Sequence, residues 1–206
     1  MSRKKEDPQL KSARNLIIGL LLFMIVGIGA FYGYKSYKDS QVADERFTYN
    51  YFKVEKRDGI WWTEAQQGKN LFLITMRYSP REVENVTVIG DVQELRRKWG
   101  FFYITFDPTE EKFADVTMAN AEISTKLVQH FGIGVAPGCI KPAPECTQLN
   151  VTLVSCENES LPVIFLNQES PPVVKVQGNC IIVQGEESDI IRAADRLMYN
   201  LYGIMK

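Results

Sequence analysis

Histidine is almost absent from this chain, with one residue, His130, among 206. A metal site that needs two imidazoles is therefore excluded, and a Ser-His-Asp triad would have to use His130. The chain also lacks the G-x-S-x-G motif of a nucleophile elbow. His130 falls in the last turn of a predicted helix, where the dipole favours a cation, so we expect a structural role. No catalytic residue and no metal ligand is predicted.

An excess of charge of either sign is also missing. The chain has 24 Lys and Arg against 25 Asp and Glu, a formal net charge of -1, which removes the usual electrostatic argument for a nucleic-acid partner. A nucleotide loop is not indicated either. Gly132 and Gly134 begin a G-x-G-x-x-G pattern, but Pro137 stands where the third glycine should be. We interpret this segment as a turn and expect no cofactor.

One long apolar run stands out near the N-terminus. Leu16 to Tyr34 is 19 residues without a charge, close to the roughly 20 residues that a helix needs to cross a bilayer. Five cations precede it and two follow it: Arg3, Lys4, Lys5, Lys11, Arg14, then Lys35 and Lys38. The bias predicts a cytoplasmic tail at 1–15, a transmembrane helix at 16–34, a stalk at 35–46 and an extracytoplasmic domain at 47–206. A cleaved signal peptide is the alternative.

Two glycines in this run, Gly29 and Gly33, form a G-x-x-x-G motif. Small residues four apart let two helices approach closely, so they are a candidate dimer face. The alternative is that glycine is simply frequent in membrane spans.

Cysteine is scarce, and all four residues lie in the last third of the chain: Cys139, Cys146, Cys156 and Cys180. An even number on the oxidising side, without close C-x-x-C pairs, favours two disulfides over a zinc site. Four cysteines allow three connectivities. We prefer Cys139 with Cys146 and Cys156 with Cys180.

Three N-x-[ST] sequons fall in the predicted outer domain and are candidate glycosylation sites: Asn85, Asn150 and Asn158. Asn158 has the most polar surroundings, whereas Asn85 and Asn150 each open a β-branched run. We therefore expect Asn158 to be accessible and the other two to be partly buried.

Strand and helix signals alternate along the outer domain. Helices are predicted at 91–99, at 115–131 with Asp115 as its cap, and from Ser188 onward. Strands are predicted at 49–55, 71–78, 86–89, 101–106, 149–155, 162–166, 173–177 and 180–184, the last two forming a hairpin at Gly178-Asn179. The fold class is α/β: one layered domain with a mixed sheet and a C-terminal helix. That helix should bury one stripe and expose Asp189, Arg192, Asp195 and Arg196.

The element order from Phe101 to the C-terminus resembles the thioredoxin-like fold, with Pro162 leading a strand. The position of that family's C-x-x-C reads Asp107-Pro108-Thr109-Glu110-Glu111, so the resemblance does not imply disulfide exchange. Together with Asp115, the carboxylates Asp107, Glu110 and Glu111 form an acidic cluster that could bind calcium or act as an acid/base pair. The alternative is that they are solvated loop residues and helix caps.

Two functions are carried forward. The first is a membrane-anchored, extracytoplasmic domain that binds a protein partner or self-associates. The alternative is a membrane-tethered hydrolase that uses Asp107, Glu110 and Glu111.

Overall fold

The structure is a computed structural model that describes residues 8–109, 113–148, 150–157 and 160–206. The chain divides into two compact units, Met1–Arg46 and Phe47–Lys206.

A single helix, α1, spans Pro8–Asp44 in the first unit. Its segment Ile17–Tyr37 is long and apolar enough to cross a membrane by length and composition, and its large apolar side chains are exposed. The helix continues through the segment predicted as a stalk. Together with the disulfides described below, α1 fits a membrane-anchored or secreted protein.

The second unit contains two sheets and four further helices among its described residues. The small sheet is formed in the order β1 (Arg46–Tyr49), β2 (Phe52–Arg57), β3 (Ile60–Gln67) and β4 (Asn70–Met76). The large sheet is formed by β5 (Thr87–Ile89), β6 (Phe101–Phe106), β7 (Gly134–Cys139), β8 (Thr152–Leu153), β9 (Val163–Asn167), β10 (Val173–Gln177) and β11 (Cys180–Gln184). The helices are α2 (Val92–Lys98), α3 (Phe113–Phe131), α4 (Pro144–Gln148) and α5 (Ser188–Leu201), with a 3-10 turn at Arg81–Val83.

The large sheet is mixed, as predicted. Its order is β5-β10-β11-β9-β6-β7-β8. The strands β6, β7, β8, β9 and β11 are parallel, while β10 pairs antiparallel with β11. The β10–β11 hairpin has the predicted bounds, with Gly178 at φ 58° in its turn.

The small sheet corrects the expectation of one sheet. The predicted strand 49–55 is broken, because Asn50 and Tyr51 both adopt positive φ, 44° and 73°, in a tight turn between β1 and β2. A third strand, β3, then pairs antiparallel with both β2 and β4. A four-stranded antiparallel meander results.

The strand β7 was predicted as a turn, which was wrong. It pairs with β6 in parallel although it contains Gly134, Pro137 and Gly138. Glycine is needed at 138, because a Cβ there would lie 2.5 Å from the Thr105 Cγ2 atom. The helix α3 also begins before Asp115, which therefore lies in its first turn and does not cap it.

The final helix, α5, buries its predicted stripe but does not expose the predicted charged face. Asp195 and Arg196 are 0% and 7% exposed. One side of α5 packs on β10 and β11, and another side meets the chain that follows β4. A second face of α5 is buried because α3, α2 and the chain that follows β4 pack against it.

Candidate binding groove

An open groove lies between β4 and α3, with a volume of about 350 Å³. That volume is within the range of about 300–1,000 Å³ that is usual for ligand pockets. Its walls combine three residues of β4 and its extension with seven of α3: Leu73, Thr75, Arg77, Met118, Ala121, Glu122, Thr125, Lys126, Gln129 and His130.

The periodicity of α3 explains why one of its faces remains available for this groove. Its apolar residues Val116, Ala119, Ile123 and Leu127 recur every three or four positions and are buried in the core. The groove residues occupy a neighbouring face, which starts at Met118 and continues with the same spacing. The helix therefore packs on the large sheet with one stripe and lines the groove with another.

Three of the side chains that line the groove are charged. Glu122 forms an ion pair with Lys126, one turn further along α3, and its Oε1 atom lies 3.6 Å from Arg77 Nε. The Lys126 side chain is 7% exposed, whereas that of Arg77 is 46% exposed. Glu122 thus pairs with the buried ammonium group of Lys126 and with the guanidinium group of Arg77, and the Arg77 side chain is the more accessible of the two cations.

His130 lines the groove and also makes contacts within the domain. Its ring stacks on Phe72 at a centroid distance of 4.5 Å, and Nδ1 is hydrogen-bonded to the Tyr202 hydroxyl. Burial, with a contribution from Lys126, lowers the pKa of His130, and burial raises the pKa of Tyr202.

A buried carboxyl group, Asp195, interacts electrostatically with two of these charged groups, Lys126 and Glu122. Its Oδ2 atom accepts hydrogen bonds from the backbone N–H groups of Arg77 and Tyr78, at 3.0 Å and 2.8 Å. Burial raises the pKa of Asp195 to about 7, although the Tyr78 hydrogen bond and the charge of Lys126 act in the opposite direction. The carboxyl group joins α5 to the end of β4, which it helps to position beside α3.

The predicted disulfides lie away from this groove. The structure pairs Cys139 with Cys146 and Cys156 with Cys180, the connectivity preferred from the sequence. The first bridges the end of β7 to α4, and the second joins the segment before β9 to the start of β11. The two bridges lie at opposite ends of the parallel strands, because Cys139 is the last residue of β7 and Cys180 is the first residue of β11.

The sequon residues that the structure describes are more exposed than predicted. Asn85 and Asn150 are both exposed, because each lies in a turn rather than inside the following strand. The Asn85 Oδ1 atom accepts a hydrogen bond from Arg192 at 2.7 Å. Asn158 lies outside the described residues.

The two glycines of the candidate dimer face, Gly29 and Gly33, lie within α1. A Cβ atom added at either would meet nothing within 4 Å. Both positions are therefore open in a single chain.

Asp107, the one carboxylate of the hydrolase alternative that the structure describes, does not line the groove. Asp107 forms an ion pair with Lys141 at 2.7 Å and accepts hydrogen bonds from Thr109. Burial would raise the pKa of Asp107, but these partners outweigh it and lower that pKa. Glu110 and Glu111 lie outside the described residues. Among the described residues, no group of three or more His, Cys, Asp or Glu side chains could hold a metal ion.

Sequence reasoning missed the residues that make the groove. The Glu122–Lys126 pair has the i, i+4 spacing of a helical ion pair, which was a usable signal. Arg77 offered no such signal, because its place beside α3 depends on how the small sheet packs. Comparison of the chain with protein-family models, curated proteins and solved structures found no match.

Proposed function

We propose that this chain is a single-pass membrane protein whose extracytoplasmic domain binds a protein partner through the β4–α3 groove. The groove carries the proposal, because it is concave, open and lined by accessible apolar and charged groups. Its charged residues are arranged as ion pairs rather than as a nucleophile with a base.

The orientation in the membrane is supported by the charge bias around α1. Cations concentrated before an apolar span favour a cytoplasmic N-terminus. The two disulfides agree with a domain that folds in an oxidising compartment.

Site-specific photo-crosslinking tests the binding role. A benzoylphenylalanine at Gln129, in the groove, is compared with one at Val128, its exposed neighbour on α3 outside the groove. We expect a defined product of higher mass, formed in the chain's native cells, from position 129 and not from position 128. Equal products at both positions, or none at either, would contradict the proposal. A product of twice the chain mass would identify the partner as a second copy.

A further inference from the structure

We propose that the occupant of the groove is an extended peptide segment that adds to the outer edge of β4 as a fifth strand. This inference rests on the proposed function and names the partner's chemistry at that same site. It starts from a comparison of the four edge strands in the two sheets.

Edge strands carry unpaired backbone N–H and C=O groups, so proteins usually shorten them or give them charges or proline. The edges β1, β5 and β8 have 4, 3 and 2 residues. The edge β4 has 7 residues, NLFLITM, without a charged residue or proline. It is therefore the one long edge, among the described strands, without these protective features.

The outer face of β4 also carries exposed apolar side chains. Leu71 and Leu73 are 66% and 51% exposed, whereas Ile74 and Met76 face the core. Leu73 lines the groove and Leu71 does not. An added strand would cover Leu73 as well as satisfy the backbone groups of the edge.

The position of α3 selects a single strand over a second copy of the domain. Two contacts join the helix to the strand and its extension, Phe72 to His130 and Arg77 to Glu122. The helix rises about 18 Å from Met118 to His130, and an extended peptide of about five residues has a similar length. An added strand of about five residues therefore matches the length of this face, whereas a second copy would also bring its own β3 against α3.

Charge complementarity defines one residue of the peptide. The groove carries two cations, Arg77 and Lys126, and one anion, Glu122. Glu122 pairs with both Lys126 and Arg77, so two cations against one anion leave a net charge of +1, and the Arg77 side chain, 46% exposed, is the accessible cation. The peptide should therefore be apolar at alternate positions and carry one acidic side chain near Arg77.

A heptapeptide display library is the probe. It is selected on the full chain in lipid nanodiscs, with empty nanodiscs as the counter-selection, and the enriched peptide is measured by fluorescence anisotropy. We expect Leu73→Lys to weaken its binding by about tenfold or more and the matched variant Leu71→Lys to leave it nearly unchanged. Equal losses in both variants, or a selection that enriches no peptide, would overturn the proposal.

Backbone methylation of the enriched peptide gives the signature of strand addition. N-methylation should abolish binding at every second position, because alternate N–H groups of an added strand face β4. Loss at no position, or equally at all positions, would overturn strand addition. Replacement of the acidic residue by its amide should weaken binding of the peptide to the native chain and leave its binding to Arg77→Ala unchanged. Weaker binding to Arg77→Ala together with unchanged binding to the native chain would overturn the charge assignment.

This result separates the two proposals. If position 129 crosslinks a partner but N-methylation of the peptide shows no alternation along its length, the binding groove is retained and strand addition is overturned. Absence of crosslinking at Gln129 would overturn the proposed function itself.

Discussion

Asp195 is a buried acid whose protonation couples the stability of the domain to pH. Its pKa in the folded chain is about 7, against 3.8 for an ordinary aspartate. The folded state therefore keeps a proton that the unfolded state loses between pH 4 and pH 7, and stability falls as pH rises across this window. Above pH 7 both states are ionised and this contribution no longer changes.

Asp195→Asn should flatten this dependence. The pKa difference corresponds to a fall on the order of 4 kcal/mol in the free energy of unfolding between pH 4 and pH 7, and an amide has no proton to lose. Urea unfolding at several pH values measures the slope. Asp189→Asn, a more exposed position on the same helix, is the matched control and should keep the native slope. An unchanged slope in Asp195→Asn would contradict the assignment.

The Glu122–Lys126 pair should respond unequally to removal of its two members. Glu122→Gln leaves the ammonium group of Lys126 buried without its carboxylate, at a cost of about 3 kcal/mol. Lys126→Met should cost less, because Glu122 retains Arg77 nearby and is more exposed. Chemical denaturation of both variants provides the comparison. A larger loss of unfolding free energy in Lys126→Met than in Glu122→Gln would contradict this prediction and show that Glu122 depends more on its partner than Lys126 does.

The disulfides act at the scale of elements, and their loop lengths predict different contributions. Cys156–Cys180 closes a separation of 24 residues and Cys139–Cys146 one of 7. Loop entropy gives about 3 kcal/mol for the longer loop and about 2 kcal/mol for the shorter one. Replacing each pair by alanines should therefore destabilise the domain more at 156 and 180, as measured by denaturant unfolding. The opposite order would contradict an entropic origin.

Elements with an unbroken pattern could be predicted from the sequence, and others could not. The strand β6 and the β10–β11 hairpin have their predicted bounds, because each is a β-branched or aromatic run with clear ends. The strand β7 was missed because Gly134, Pro137 and Gly138 imitate a turn. Its place in the sheet depends on the close approach of Thr105, which is a tertiary contact.

The same limit applies to the groove. The spacing of α3 predicts which residues lie on one helical face, but not that β4 runs beside them. Asp195 and Arg196 were predicted to be exposed for a related reason: the amphipathic pattern of α5 shows one buried face, while packing of α3, α2 and the chain after β4 creates a second.

At the scale of the whole molecule, the side of the membrane that the folded domain occupies decides the proposed function. The two disulfides agree with an oxidising compartment, and the proposed partner and any use of the sequons would require the same orientation. The proposed orientation rests on the cations that precede α1 in the sequence.

Labelling with a membrane-impermeant maleimide on intact cells tests this orientation most directly. The variant Lys69→Cys places a thiol in the exposed turn between β3 and β4, and Ser2→Cys places one in the N-terminal tail. We predict that Lys69→Cys is labelled in intact cells and that Ser2→Cys is labelled only after the membrane is permeabilised. The reverse pattern would place the domain in the cytoplasm and contradict the account.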